Sequence, residues 1–275
     1  MIRMKKWIAI IATLGLLGCF LYANQQWLHL TKYAITLKKL PKEMDGLKIV
    51  QISDLHHAEF GHEQSKLIEK VKNEKPDMIV ITGDLVDRYH YDLDQSLEAV
   101  EGFVKIAPVY YVNGNHEVSL NDVPQITKLL KDIGVHVLEN QTLSYYRNGA
   151  AIDIIGIDDP LNGKKTAQML NEALVGTDTE TFRLLLAHRP EYYQDYVNAG
   201  IDLTFNGHAH GGQIRIPGIG GLVDHQMNLF PTHIEGIERQ DQLTQVISRG
   251  LGNSRVNIRL FNPPEIVVAT LHSEK

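Results

Sequence analysis

The sequence predicts a layered α/β sandwich with a mixed sheet, set behind one apolar N-terminal helix. Three observations carry that expectation. Residues 7–23, WIAIIATLGLLGCFLYA, are uncharged and almost wholly apolar. From residue 47 onward, β-branched runs alternate with amphipathic segments, as parallel strands joined by crossover helices do. The second half then leans towards strands.

Taken in order, Arg3, Lys5 and Lys6 form a basic flank over residues 1–6. The span at 7–23 measures roughly 25 Å as a helix, the short end of what crosses a bilayer. No polar face exists that would suit a buried amphipathic helix. The flank predicts a retained signal anchor with its N-terminus inside and the bulk of the chain outside, a single-pass, extracytoplasmic arrangement in the cell membrane. Lipidation at Cys19 in LLGC and cleavage after Leu21-Tyr22-Ala23 compete with it, both against the local chemistry: FLY continues the apolar run, and a cut site needs small residues. Residues 24–34 read as a juxtamembrane link, and the soluble domain runs over 35–275, opening on the edge strand ITLKKL.

Strands follow at 47–53 (LKIVQIS), 77–82 (DMIVIT) and 107–112 (APVYYV). Between and after them lie helices at 62–75, 92–106 and 123–133, the last with Pro124 in its first turn and Gly134 at its end. VHVLEN, TLSYYRNG and AIDIIGID read as a three-strand meander with a hairpin turn at Asn148-Gly149. Helices at 165–174 and 190–200 flank the strand TFRLLLAH, and IDLTFN is the next strand. QIRIPG, residues 233–250 and EIVVATLH close the chain with β-structure, and 223–236 reads as a surface loop.

Composition narrows function. A net charge of −6 gives no basic footprint, so no nucleic-acid partner is expected. A single cysteine rules out an internal disulfide, and thirteen histidines supply the commonest metal ligand. An H-E-x-x-H peptidase helix is absent.

The chemistry gathers where strands end, which is where open α/β sheets bind ligands. Asp54-Leu55-His56, Gly83-Asp84 through Asp87, Asn113 through Glu117, His188, and Asn206 through His210 each follow a buried run. One such residue is ordinarily a cap; five blocks in order point to a site. The ordered set D-x-H, G-D-x-x-D, G-N-H-E, H and G-H-x-H resembles the calcineurin-like metallophosphoesterases. SDLHH, GDLVD, GNHE, NGHAHGGQIRIPG and RLFNPPEI look most like their bacterial membrane-associated, YkuE/YaeI-type branch. Enzymes cleaving UDP-diacylglucosamine in lipid A synthesis differ in carrying Arg where this chain has His116.

The resemblance implies a four-layer α-β-β-α sandwich with mixed sheets behind an N-terminal transmembrane helix. It implies a hydrolase of phosphomonoesters or phosphodiesters, with a metal-activated hydroxide as nucleophile. Asp54, His56 and His210 would hold one divalent ion, Asn115, His188 and His208 a second, and Asp84 would bridge them; His116 would act on the leaving group without binding metal. Such a mixed N/O set suits Mn, Fe or Zn, and its lack of thiolates argues against a closed structural zinc. A bridging carboxylate holds two ions at roughly 3.5–4 Å. Gly207, Gly211 and Gly212 are expected to let backbone approach the cluster at positive φ.

Among neighbours, Glu117 is expected to orient or charge His116, Asp87 to hydrogen-bond within its turn or orient a ligand, and His57 to be merely exposed. His62, His90, His225 and His233 have no spacing that gives them a role. Arg189, Arg255 and Arg259 are placed on the surface, although each could meet a phosphate. The membrane tether suggests a phospholipid, lipid-linked or cell-wall phosphoester as substrate. A non-catalytic metal-binding interaction module on the same fold is the alternative.

Overall fold

The structure is a computed structural model describing residues 2–212, 214–216, 220–223, 231–253 and 259–274. His225, Arg255 and residues 224–230 of the expected loop at 223–236 lie outside the described residues.

Helix α1 (Ile2–Gln26) leads directly into strand β1 (His29–Leu37). β1 begins at His29 rather than at the expected residue 35, because His29 through Leu37 pair in register with the last strand of the chain. Then come β2 (Leu47–Ile52), α2 (Ser65–Glu74), β3 (Met78–Thr82), α3 (Leu93–Phe103), β4 (Val109–Val112), the short α4 (Asn115–Ser119), α5 (Val123–Asp132) and β5 (His136–Val137). The helix expected from residue 62 starts at Ser65, since Glu63 and Gln64 sit at φ 51° and 57°, outside helical space. α3 begins where the Asp92 carboxylate accepts the Gln95 amide at 3.0 Å, and α5 stops at Gly134 with φ 97°.

The second half supplies β6 (Gln141–Arg147), β7 (Ala150–Gly156), α6 (Thr166–Ala173), β8 (Arg183–Leu186), α7 (Tyr193–Asn198) and β9 (Leu203–Asn206). After them come β10 (Ile214–Ile216), β11 (Gly220–Val223), β12 (Gly236–Gln240), β13 (Leu243–Ile247) and β14 (Glu265–Ser273). β6 and β7 form the expected hairpin, with Asn148 and Gly149 both at positive φ. The three-strand meander does not form. β5 pairs in parallel with β4 in one sheet, whereas β6 and β7 belong to the other.

Two six-stranded sheets result, ordered β1-β14-β2-β3-β4-β5 and β12-β13-β9-β8-β7-β6, and both are mixed. Strand periodicity assigns the layers. In β3, Met78 and Val80 face the other sheet, while Ile79 and Ile81 face the helices. β8 repeats this, with Leu184 and Leu186 inward and Leu185 outward. One core lies between the sheets, a second between the first sheet and α2, α3 and α5, and a third under α6 and α7. Each such Leu, Ile or Val contributes about 1.5–3 kcal/mol by leaving water, which is why strands buried on both faces read as continuous apolar runs. The architecture is an α-β-β-α sandwich. The carboxyl ends of β2, β3 and β4 meet those of β8 and β9 at one end of the seam between sheets.

Candidate metal centre

All eight site residues expected from the sequence lie at that end of the seam. β2 delivers Asp54 and His56, β3 delivers Asp84, β4 delivers Asn115 and His116, β8 delivers His188, and β9 delivers His208 and His210. Among them Asp54, His56, Asp84, His116, His188, His208 and His210 are buried. The loops turn sharply to aim these groups inward. Asp54, His56, Asp84, His208 and His210 all have φ between 50° and 69°. For non-glycine residues such backbone costs about 1–2 kcal/mol each, so the packed sheets are holding the site in strained form.

The glycines follow a different rule from the one expected. Gly211 and Gly212 adopt positive φ, but Gly207 does not. Gly207 is required for space: a Cβ there would stand 1.9 Å from Ser53 Oγ and 2.5 Å from Asp54 Oδ2. Gly114 does the same beside Asp84, where a Cβ would lie 2.3 Å from Oδ1.

The donors form two adjoining clusters. In one, His56 Nε2 is 3.3 Å from His210 Nε2, which is 3.5 Å from Asp54 Oδ1. In the other, His188 Nε2 lies 3.2 Å from Asp84 Oδ2, 3.2 Å from Asn115 Oδ1 and 3.2 Å from His208 Nδ1. Asp84 Oδ2 is also 4.0 Å from His56 Nε2, so one carboxylate faces both clusters. Metal bonds of about 2.0–2.2 Å separate neighbouring donors by roughly 3 to 3.5 Å. Imidazole nitrogens this close cannot all point hydrogens at one another, and the N/O set fits a borderline divalent ion.

Electrostatics agree with that fit. Burial pushes the Asp54 carboxyl up to about 6 and the His56 imidazole down to about 3. Burial also works against charge on His188, but Asp84 and then Asp54 push it up to about 10. Burial opposes the charge on Asp84 too, yet His188 holds that carboxyl well below its usual range. These groups compete for protons that a divalent cation would displace.

The structure corrects several roles around the cluster. Glu117 adds its charge to those that raise the pKa of His116, but its carboxylate oxygens are engaged with backbone. It is fully buried and accepts the amides of Asp84 (3.0 Å), Leu85 (2.6 Å), Val86 (3.2 Å) and Gly114 (2.8 Å), fastening the β3 and β4 loops together. Asp87 is the residue against His116, with Oδ1 2.9 Å from Nδ1, and it faces His57 and His90 as well. Burial lowers the basicity of His116, but the Asp87 contact and the charge of Asp84 raise its pKa overall.

Arg259 is not on the surface. It is 1% exposed, donates to the carbonyls of Gly252 (2.6 Å) and Arg249 (2.9 Å), and reaches within 3.4 Å of His210 Nδ1. Asn262 donates to the His210 carbonyl at 2.7 Å. Arg189 is partly buried between Asp159 (2.7 Å) and His208 Nε2 (3.3 Å). The second Asp of GDLVD and the polar residues of RLFNPP were the sequence signals for Asp87, Arg259 and Asn262, but their partners are remote in the chain.

Comparison with known proteins defines the class. The profile of the calcineurin-like phosphoesterase family matches residues 47–212. The chain is 31% identical over 264 residues to the uncharacterized metallophosphoesterase YkuE of Bacillus subtilis, covering 92% of this chain and 88% of that protein. It is 30% identical over 264 residues to an uncharacterized metallophosphoesterase of Aquifex aeolicus, covering 93% and 96%. The solved structure of TT1561 from Thermus thermophilus superposes with a TM-score of 0.52 at 9% identity, over 74% of this chain and 89% of that one, a likeness of fold. The chain belongs to the calcineurin-like phosphoesterase family. It is a phosphoester hydrolase that depends on divalent metal.

Proposed function

We propose that the protein cleaves a phosphomonoester or phosphodiester of an envelope molecule with a dinuclear centre of Mn, Fe or Zn. In this reading Asp54, His56 and His210 hold one ion and Asn115, His188 and His208 the other, with Asp84 between them. The position of Asp84 carries it, since the same carboxylate oxygen lies 3.2 Å from His188 and 4.0 Å from His56. Ions bound there would supply Lewis-acid stabilisation of phosphoryl oxygens and acidify the attacking water. The protein's own groups do the rest. Asp54 accepts the His208 amide at 3.0 Å, locking the β2 and β9 loops together. His116, braced by Asp87, holds a proton for the leaving oxygen.

Two features support the envelope. Lys5–Gln26 is a helix long and apolar enough to cross a membrane, with mean hydropathy 1.8. Its carboxyl end meets the loops behind the metal donors: Asn253 donates to Gln25 at 2.8 Å, and Phe20 lies against Phe261, next to the Asn262 that holds His210. We therefore read α1 as a retained anchor, the remainder as an extracytoplasmic domain, and the substrate as a lipid- or wall-linked phosphoester.

The test uses the full chain in detergent with Mn²⁺, an aryl phosphodiester and an aryl phosphomonoester. Turnover should appear with metal, stop with EDTA and vanish in Asp84→Asn. Unchanged activity in Asp84→Asn would end the dinuclear assignment.

A further inference from the structure

Asp87, on the loop after β3, meets imidazoles that phosphoester cleavage does not use. It sits at the base of that loop with a side chain that is 0% exposed. One carboxylate oxygen faces His116, and the other faces two further imidazoles. His90 Nδ1 lies 3.1 Å from Oδ2 and His57 Nδ1 lies 3.4 Å from it. The two rings are 4.8 Å apart between centroids and tilted by 41°, and the three donor atoms all fall within 4.8 Å of one another.

Ordinary hydrogen bonding accounts for only half of this. His90 pairs with Asp87, but among the described residues the buried His57 Nδ1 makes no hydrogen bond, although a carboxylate oxygen is in reach. Its in-plane direction misses that oxygen. The neighbouring cation is not aimed there either: Arg88 bonds Ser119 Oγ at 3.1 Å and the Tyr89 hydroxyl at 2.6 Å, with its guanidinium over the Tyr89 ring. The contacts of Asp87 Oδ2 to His57 and His90 fall in the same range as those of the inner donors, and the chemistry is again imidazole plus carboxylate. The His90 side chain is 71% exposed, which leaves the outer side to solvent.

We propose that His57 Nδ1, Asp87 Oδ2 and His90 Nδ1 form an outer divalent-metal site, separate from the inner centre and completed by water. Two imidazoles and a carboxylate with open positions suit Zn²⁺ or a similar borderline ion. The site is anchored on the carboxylate that braces His116, so an ion there stands next to the catalytic machinery without belonging to it.

The experiment is equilibrium dialysis of the full chain against Zn²⁺, with bound metal counted by plasma mass spectrometry. Wild type should hold one more ion per chain than His57→Ala/His90→Ala. The same difference should persist when both carry Asp84→Asn. Equal counts in wild type and the double variant would overturn the site. If the double variant folds poorly, His90→Ala alone, at a largely exposed position, carries the same comparison: a lost ion supports the site and an unchanged count removes it. Because the readout is a difference between chains that share the inner donors, its failure leaves the dinuclear reading untouched.

Discussion

At the scale of single residues, the site divides into groups that face the reacting centre and groups that hold them. His116 faces it from α4, and in turnover Asp87 acts through His116, 2.9 Å away. His116→Ala should lower kcat by about 10²–10⁴, the usual worth of a general acid, while bound metal is unchanged. Asp87→Asn should also slow turnover, and the double variant should be no slower than His116→Ala alone. Additive losses in that cycle, measured by steady-state kinetics, would show that Asp87 acts by another route. Glu117 is different in kind, because it holds four backbone amides and no substrate. Glu117→Ala strands those amides at about 1–3 kcal/mol each, so a large fall in melting temperature together with metal loss is expected.

At the scale of elements, the site depends on how closely the ends of β2 and β9 approach. Gly207→Ala drives a methyl into Ser53 and Asp54, and overpacking of this sort costs about 1–3 kcal/mol. The variant should melt lower and bind metal more weakly in calorimetric titration. The opposite ends of β8 and β9 carry a pH effect of definite sign. Asp202 accepts the Arg183 amide at 2.8 Å and lies 3.7 Å from Lys39, yet burial pushes its carboxyl up. A folded-state pKa above the unfolded one makes the native chain bind the proton more tightly. This group's contribution to stability therefore falls as pH rises from the ordinary carboxylate range through the raised value. Asp202→Asn removes the charge, so from about pH 4 to neutrality the variant should lose less stability than wild type in thermal melts.

At the scale of the whole molecule, α1 and the domain meet at the metal end. A chain starting at residue 27 should leave the membrane fraction yet keep its fold, since Leu28 and the strands after it supply the packing. Fractionation and circular dichroism check both halves of that statement. Chelation should lower the melting temperature of the full chain, because an ion bound only to the native state stabilises it. Much of this was legible in the residues. β-branched runs fixed where strands lie, Gly and Asp/His punctuation marked their ends, and Asp54, His56, Asp84, Asn115, His116, His188, His208 and His210 could all be named as site candidates. These signals are local, so one stretch of chain suffices to read them. What the tertiary structure alone decided is partnership: β5 pairing away from β6, Glu117 tying two loops, Asp87 meeting three histidines, and Arg259 lying buried behind His210. Each depends on residues distant in sequence being brought within a few ångströms, and no local periodicity encodes that distance.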